Sequence, residues 1–172
     1  MNPPHATQQR IGKTLLFMAW LLVLGLLTLF FNAWLDKRDN PNRNLVSRTD
    51  NGIREVVLQR NMASHYVAPG LINDQPVLFL IDTGASRVSI PERMADRLGL
   101  TQGAPLSSST ANGTITVYST IARKVTLGNI EVYGVPADLN PYIEEDVVLL
   151  GMSFMKHLEL VQKDGTLTIR QH

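Results

Sequence analysis

The stretch Phe79-Leu80-Ile81-Asp82-Thr83-Gly84-Ala85-Ser86 decides how this chain is read. Three apolar residues run straight into a carboxylate, and Val88-Ser89-Ile90 resumes a strand immediately afterwards. Asp disfavours strands, and a charge at the end of an apolar run is costly unless something compensates it. Thr83 offers a hydroxyl. Gly84 lets the backbone turn back, so that amide N–H groups can face the carboxylate. The bland alternative is that Asp82 only caps a turn, since Asp-Thr-Gly is ordinary turn chemistry. The apolar run before it and the strand after it favour a chemical role.

Working outward, short β-rich runs are separated by turn signals: REVVLQRN, HYVAPGLIN and QPVLFLIDTG before the motif, with Asn73-Asp74 as a tight turn. TITVYST (114–120), RKVTL (123–127) and IEVYGV (130–135) follow it. The tail LELVQKDGTLTIR carries Asp164-Gly165, a hairpin turn between two alternating strands. Two stretches read as helical: 91–98 (PERMADRL), opened by Pro and closed by Gly99, and 151–157 (GMSFMKH), long enough for one or two turns. Residues 53–172 are therefore expected to form one all-β domain with one or two short helices.

Before it, residues 14–35 (TLLFMAWLLVLGLLTLFFNAWL) contain no charge. Their number matches a hydrocarbon core roughly 30 Å thick at about 1.5 Å rise per residue. No polar face and no convincing small-x-small cleavage site are present, so a transmembrane helix is expected after a 1–13 tail. Residues 36–52 (DKRDNPNRNLVSRTDNG) are polar and punctuated by Asn-Pro and Asn-Gly, the composition of a linker. The basic flank at Lys37, Arg38, Arg43 and Arg48 would place the C-terminal side in the cytoplasm by raw count, but long domains cross largely regardless of charge. Charge counting leaves the side open.

Composition removes several classes. The chain has 172 residues, with 16 Lys plus Arg against 15 Asp plus Glu, so no basic stripe exists to hold nucleic acid. Cys is absent, which excludes a disulfide framework, a thiolate metal site and a Cys nucleophile. The four His residues are scattered without metal-ligand spacing. No metal and no cofactor are expected.

The motif at 79–86 resembles the active-site motif of retropepsin-like aspartic proteases. From about residue 53 to 170 the chain is similar to a bacterial family of membrane-anchored, single-domain members of that group. Gly70-Leu71-Ile72-Asn73 fits the strand-turn before the motif, and Thr110-Ala111-Asn112-Gly113 fits a hairpin tip about thirty residues downstream of Asp82. Val148-Leu149-Leu150-Gly151-Met152-Ser153-Phe154 fits the second signature, an apolar pair and Gly leading into a helix. The resemblance implies a closed β-barrel protomer and an aspartic endopeptidase. Asp82 would be its catalytic residue, supported by Thr83, Gly84 and Ala85, with Ala at 85 as in the retroviral type. Ser86 would meet substrate backbone, and Ala111, Asn112 and Gly113 would tip a flap over an extended peptide. Leu149, Leu150 and Gly151 would pack behind the Asp82 loop.

Such chemistry needs two carboxylates sharing one proton. The chain holds one Asp-Thr-Gly, so the second carboxylate must come from another copy, and a homodimer is implied. Asp138 and Asp146 lack a following Gly and are set aside for that role. The resemblance also implies a peptide substrate and a single pass through a bacterial inner membrane with the C-terminal domain in the periplasm. A non-catalytic peptide-binding or assembly module on the same fold stays open as the alternative.

Overall fold

The computed structural model describes residues 5–110 and 113–172, with side chains from residue 13 onward except at 33, 36 and 37. The chain divides into two units, Met1–Arg38 and Asp39–His172. In the first, helix α1 (His5–Asp39) contains a span, Lys13–Asn32, long and apolar enough to cross a membrane; a signal sequence near an N-terminus passes the same test. Near its end the Arg38 guanidinium lies 5.3 Å from the centre of the Trp34 ring, a cation–π contact.

The second unit is mostly β. Its strands are β1 (Val46–Asp50), β2 (Ile53–Gln59), β3 (Val67–Ile72), β4 (Gln75–Ile81), β5 (Val88–Pro91), β6 (Pro105–Thr110), β7 (Gly113–Leu127), β8 (Ile130–Asn140), β9 (Val147–Leu150), β10 (Glu159–Lys163) and β11 (Thr166–Gln171). One short helix, α2 (Met152–Met155), follows β9. The strands form a four-stranded antiparallel sheet, β1-β2-β11-β10, and a seven-stranded one, β3-β4-β9-β5-β8-β7-β6. In the larger sheet β4 runs parallel to β9, and β5 parallel to β8. Its first strand also pairs with β7, at Leu71–Thr126 and Ile72–Val125. The β unit is thus built of two sheets, the larger of which returns on itself at that pairing. Val56, Leu58 and Ile169 of the small sheet share one core with Phe79, Ile90, Leu139 and Leu150 of the large one and Phe154 of α2.

Three expectations change. The stretch expected to be a linker contains β1, joined to β2 through Asn51-Gly52, whose φ values of 49° and 85° make the left-handed pair that a tight hairpin needs. The same chemistry turns Asn73-Asp74 (50°, 67°) and Asp164-Gly165 (50°, 76°). The helix expected over 91–98 is only a 3-10 turn at Glu92–Met94 followed by turns. Tertiary anchors dictate its path: Met94 and Leu98 are buried, Arg97 donates to the Pro76 carbonyl, and Arg93 grips Ile143 and Asp146. The runs at 114–120 and 123–127 are one strand, β7.

Asn42 shows why the polar stretch before β2 is ordered. Its side chain is 3% exposed; it donates to the carbonyls of Gln59 (2.9 Å) and Val67 (2.7 Å) and accepts from the Gln59 N–H (2.6 Å). One amide thereby satisfies three backbone groups where β2 ends and β3 begins. Asn42→Ala strands all three, and we expect a loss of about 2 to 3 kcal/mol, read as a lowered thermal midpoint. An unchanged midpoint would show that solvent takes over these bonds.

Candidate active site

Asp82 is the residue after β4. Its N–H donates to the Leu150 carbonyl (3.2 Å), one step beyond the parallel pairing of Ile81 with Leu150, while the Ile81 N–H donates to Tyr66. The end of β4 is therefore held between two elements before the chain turns. The turn then folds onto the carboxylate: the Gly84 N–H donates to Asp82 Oδ1 (2.9 Å), and the Ala85 N–H to the Asp82 carbonyl (3.3 Å). The amide expected to face Asp82 is that of Gly84.

The second signature locks this loop from behind. Met152 N–H donates to the Ala85 carbonyl (2.8 Å), Ser153 N–H to the Ser86 carbonyl (3.0 Å), and Ser153 Oγ accepts from the Val88 N–H (3.0 Å). The start of α2 thus holds the loop between Asp82 and β5 at Ala85, Ser86 and Val88. Gly151 sits against the carbonyls of Ala85 and Arg87, where no side chain has room. Strand alternation sends Leu150 into the core and Leu149 to the other face, into the wall of the cleft, so Leu149 does more than pack behind the loop.

The cleft has a volume of about 580 Å³. Asp82, Gly84, Ala85 and Ser86 line it, and β6 from Leu106 to Thr110 lines it opposite. β6 and the start of β7 pair antiparallel from Pro105–Tyr118 to Thr110–Gly113, which makes the hairpin expected of a flap. Ala111 and Asn112 at its tip lie outside the described residues; Gly113 adopts a φ of 120°. Thr83 is exposed and stands outside the cleft wall.

Sequence reasoning set Asp138 aside and did not single out Arg87, yet both line this cleft. Arg87 Nε lies 2.6 Å from Asp138 Oδ1, and Nη2 donates to the Ala137 carbonyl (2.8 Å). The available signal was an acidic residue inside the apolar run Val135-Pro136-Ala137-Asp138-Leu139, which demands a partner. Burial lifts Asp138 above the ordinary 3.8, and Arg87 offsets that in part. A carboxyl raised in the folded state binds the extra proton when folded. Its contribution to stability is therefore greatest below 3.8 and falls as pH rises from there through the folded-state value. Relative to Asp138→Asn, the wild-type thermal midpoint should gain on acidification through that window; parallel curves would refute the shift.

Three comparisons place the chain among known proteins. It is 28% identical over 125 residues to an uncharacterized protein in the cobV 5' region of Sinorhizobium sp, covering 71% of this chain and 54% of that one. The chain therefore spans about half the length of that relative. Its fold is similar to the crystal structure of a retropepsin-like aspartic protease from Rickettsia conorii, with a TM-score of 0.58 and 22% identity over 74% of this chain and 95% of the other. EIAV protease in complex with an inhibitor matches at a TM-score of 0.45 and 20% identity, over 58% of this chain and 92% of the other. The match to the Rickettsia conorii structure shows that the two-sheet fold is retropepsin-like. Residues 68–157, which run from β3 through the Asp82 loop and cleft to just beyond α2, match the gag-polyprotein putative aspartyl protease family model, and the chain belongs to that family.

Proposed function

We propose that the chain is a homodimeric, membrane-anchored aspartic endopeptidase in which two Asp82 carboxylates, one per protomer, activate water. The observation that carries this is Asp82 itself. It is fixed at the end of β4 by the Leu150 carbonyl, oriented by the Gly84 amide, and set in a cleft facing the β6–β7 hairpin. Family membership supports the reading, and the single Asp-Thr-Gly makes it require two chains.

The two carboxyl groups share one proton. The ionised one takes a proton from the attacking water while the protonated one donates to the scissile carbonyl oxygen, giving a tetrahedral gem-diol. Collapse of that diol returns a proton to the leaving amine, breaks the C–N bond and restores the shared-proton pair. The β6–β7 hairpin closes over an extended peptide, excluding water and offering backbone hydrogen bonds. Thr83, exposed in the protomer, bonds across the two-fold axis beneath the pair, and Ser86 meets the substrate backbone.

The span Lys13–Asn32 anchors the enzyme. Its large side chains stand exposed from Leu15 to Phe31, an apolar surface that lipid suits and water does not. We place the anchor in a bacterial inner membrane with Asp39–His172 on the periplasmic side. A reporter fused after His172 tests this, and cytoplasmic signal overturns it.

Dimerisation has its own measurement. The full chain in detergent, diluted below its dimerisation constant, should lose activity per molecule in proportion to concentration. Reconstituted at one chain per lipid nanodisc it should be inactive, and at two or more per disc active, because confinement supplies the partner. Constant activity per molecule throughout would eliminate the shared site.

A further inference from the structure

One wall of the cleft is polar in a way that water activation does not use. β5 and β8 run parallel with Ser89 beside Asp138 and Pro91 beside Asn140. Ser86, Arg87, Ser89, Asp138 and Asn140 from this side all line the cleft that holds Asp82. Asp138 and Asn140 are 7% and 9% exposed. Arg87 pairs with Asp138, Asn140 Nδ2 donates to Ser89 Oγ (3.4 Å), and Asn140 Oδ1 accepts from the Tyr142 N–H (2.9 Å). The rest of the lining sets Leu106, Val117 and Leu149 beside the small hydroxyls of Ser107, Ser108, Ser109 and Thr110 and carries no ion pair.

A partly buried ion pair adds little net stability, and an apolar pair of similar volume would fill the space as well. What the pair does add is chemistry facing whatever enters. We propose that this wall is a subsite for an uncharged hydrogen-bonding side chain of the substrate: Asn, Gln, Ser or Thr. It rests on the endopeptidase reading and specifies the substrate class of the same site.

The charge balance of the wall selects that class. Arg87 and Asp138 sum to zero, so a cationic side chain gains Asp138 but meets Arg87, and an anionic one the reverse. A neutral amide or hydroxyl carries both a donor and an acceptor and complements both. Arg has five N–H donors, and the ion pair with Asp138 and the bond to Ala137 leave capacity for an incoming acceptor. An apolar side chain would strip water from these groups without replacing its hydrogen bonds, the situation in which polar sites reject apolar analogues.

The test uses the full chain in detergent micelles and peptides varied one position at a time. One readout is kcat/KM on the wild type, and the other is peptide affinity for Asp82→Asn, which reports selection without turnover. At one position Asn, Gln, Ser and Thr should exceed Leu and Val by about tenfold, the equivalent of one good hydrogen bond. The double variant Arg87→Met/Asp138→Leu removes both charges together, and in it the preference should reverse toward Leu. Should it fail to fold, Arg87→Lys keeps the charge but loses the planar fork, and the polar preference should weaken. An apolar preference at every position, a profile unchanged in these variants, or no selective binding at all overturns the subsite. Polar selection in the affinity readout without any cleavage by the wild type would keep the subsite and overturn the endopeptidase reading.

Discussion

Replacing Asp82 by Asn should leave the fold intact and lower peptide cleavage by about 10⁴-fold, the upper range for loss of a positioned acid–base group. The fold survives because Asn keeps the bond that the carboxylate accepts among the described residues. An amide oxygen accepts from the Gly84 N–H as Asp82 Oδ1 does, and the backbone bonds to Leu150 and Ala85 involve no side chain. The thermal midpoint should therefore move little while activity disappears. A mixing experiment sharpens this. If each active site needs one Asp82 from each protomer, equal amounts of wild-type and Asp82→Asn chains, allowed to exchange, pair at random, and only about a quarter of the dimers hold two carboxylates. Activity per wild-type chain should then fall to about half of its unmixed value, whereas independent sites would keep it unchanged. Cleavage by the pure variant at the wild-type rate would remove the assignment of Asp82 outright.

The Asp82 loop was legible from sequence because its chemistry is local. A carboxylate, a turn and a strand lie within ten residues, and an uncompensated charge after Phe79-Leu80-Ile81 asks for an amide, which Gly84 supplies. Two of the hairpins were legible for a similar reason, since Asn73-Asp74 and Asp164-Gly165 interrupt alternating apolar runs. Asn51-Gly52 uses the same turn chemistry but follows a strand whose five residues are all exposed, so no alternation marks β1, and the segment reads as linker. Arg87 and Asp138 illustrate a different limit. Asp138 asks for a partner inside its apolar run, but nothing local names Arg87; only the parallel pairing of β5 with β8 brings them together in one wall. Periodicity finds strands, whereas a site assembled from distant strands appears only once their register is known. The Arg93 and Arg97 anchors that set the path after β5 belong to the same class, because their partners Ile143, Asp146 and Pro76 lie on other elements.

Gly151→Ala should be among the most damaging single substitutions in the β unit, although it adds one methyl group. The position does not need glycine for its backbone: φ is −92° and ψ is −173°, an extended conformation open to any residue. It needs glycine for space. A Cβ there would lie 2.6 Å from the Ala85 carbonyl oxygen and nearer still to that of Arg87, separations that real Cβ atoms essentially never show. Neither carbonyl is free to retreat. Ala85 accepts from Met152, the next carbonyl, that of Ser86, accepts from Ser153, and Val88 donates to the Ser153 hydroxyl. Relief of the clash must therefore break the ladder that holds the Asp82 loop against α2. Overpacking at such a site costs about 3 kcal/mol, and activity should vanish with it because the loop is displaced. Gly165→Ala separates crowding from backbone strain. Gly165 has a φ of 76° and nothing within 4 Å of its would-be Cβ, so its replacement carries only the conformational cost, about 1 kcal/mol, in a hairpin away from the cleft. A large fall in thermal midpoint with loss of cleavage for Gly151→Ala, against a small fall with cleavage retained for Gly165→Ala, is the expected pair of results. Equal, small effects from both would mean that the second signature does not brace the Asp82 loop.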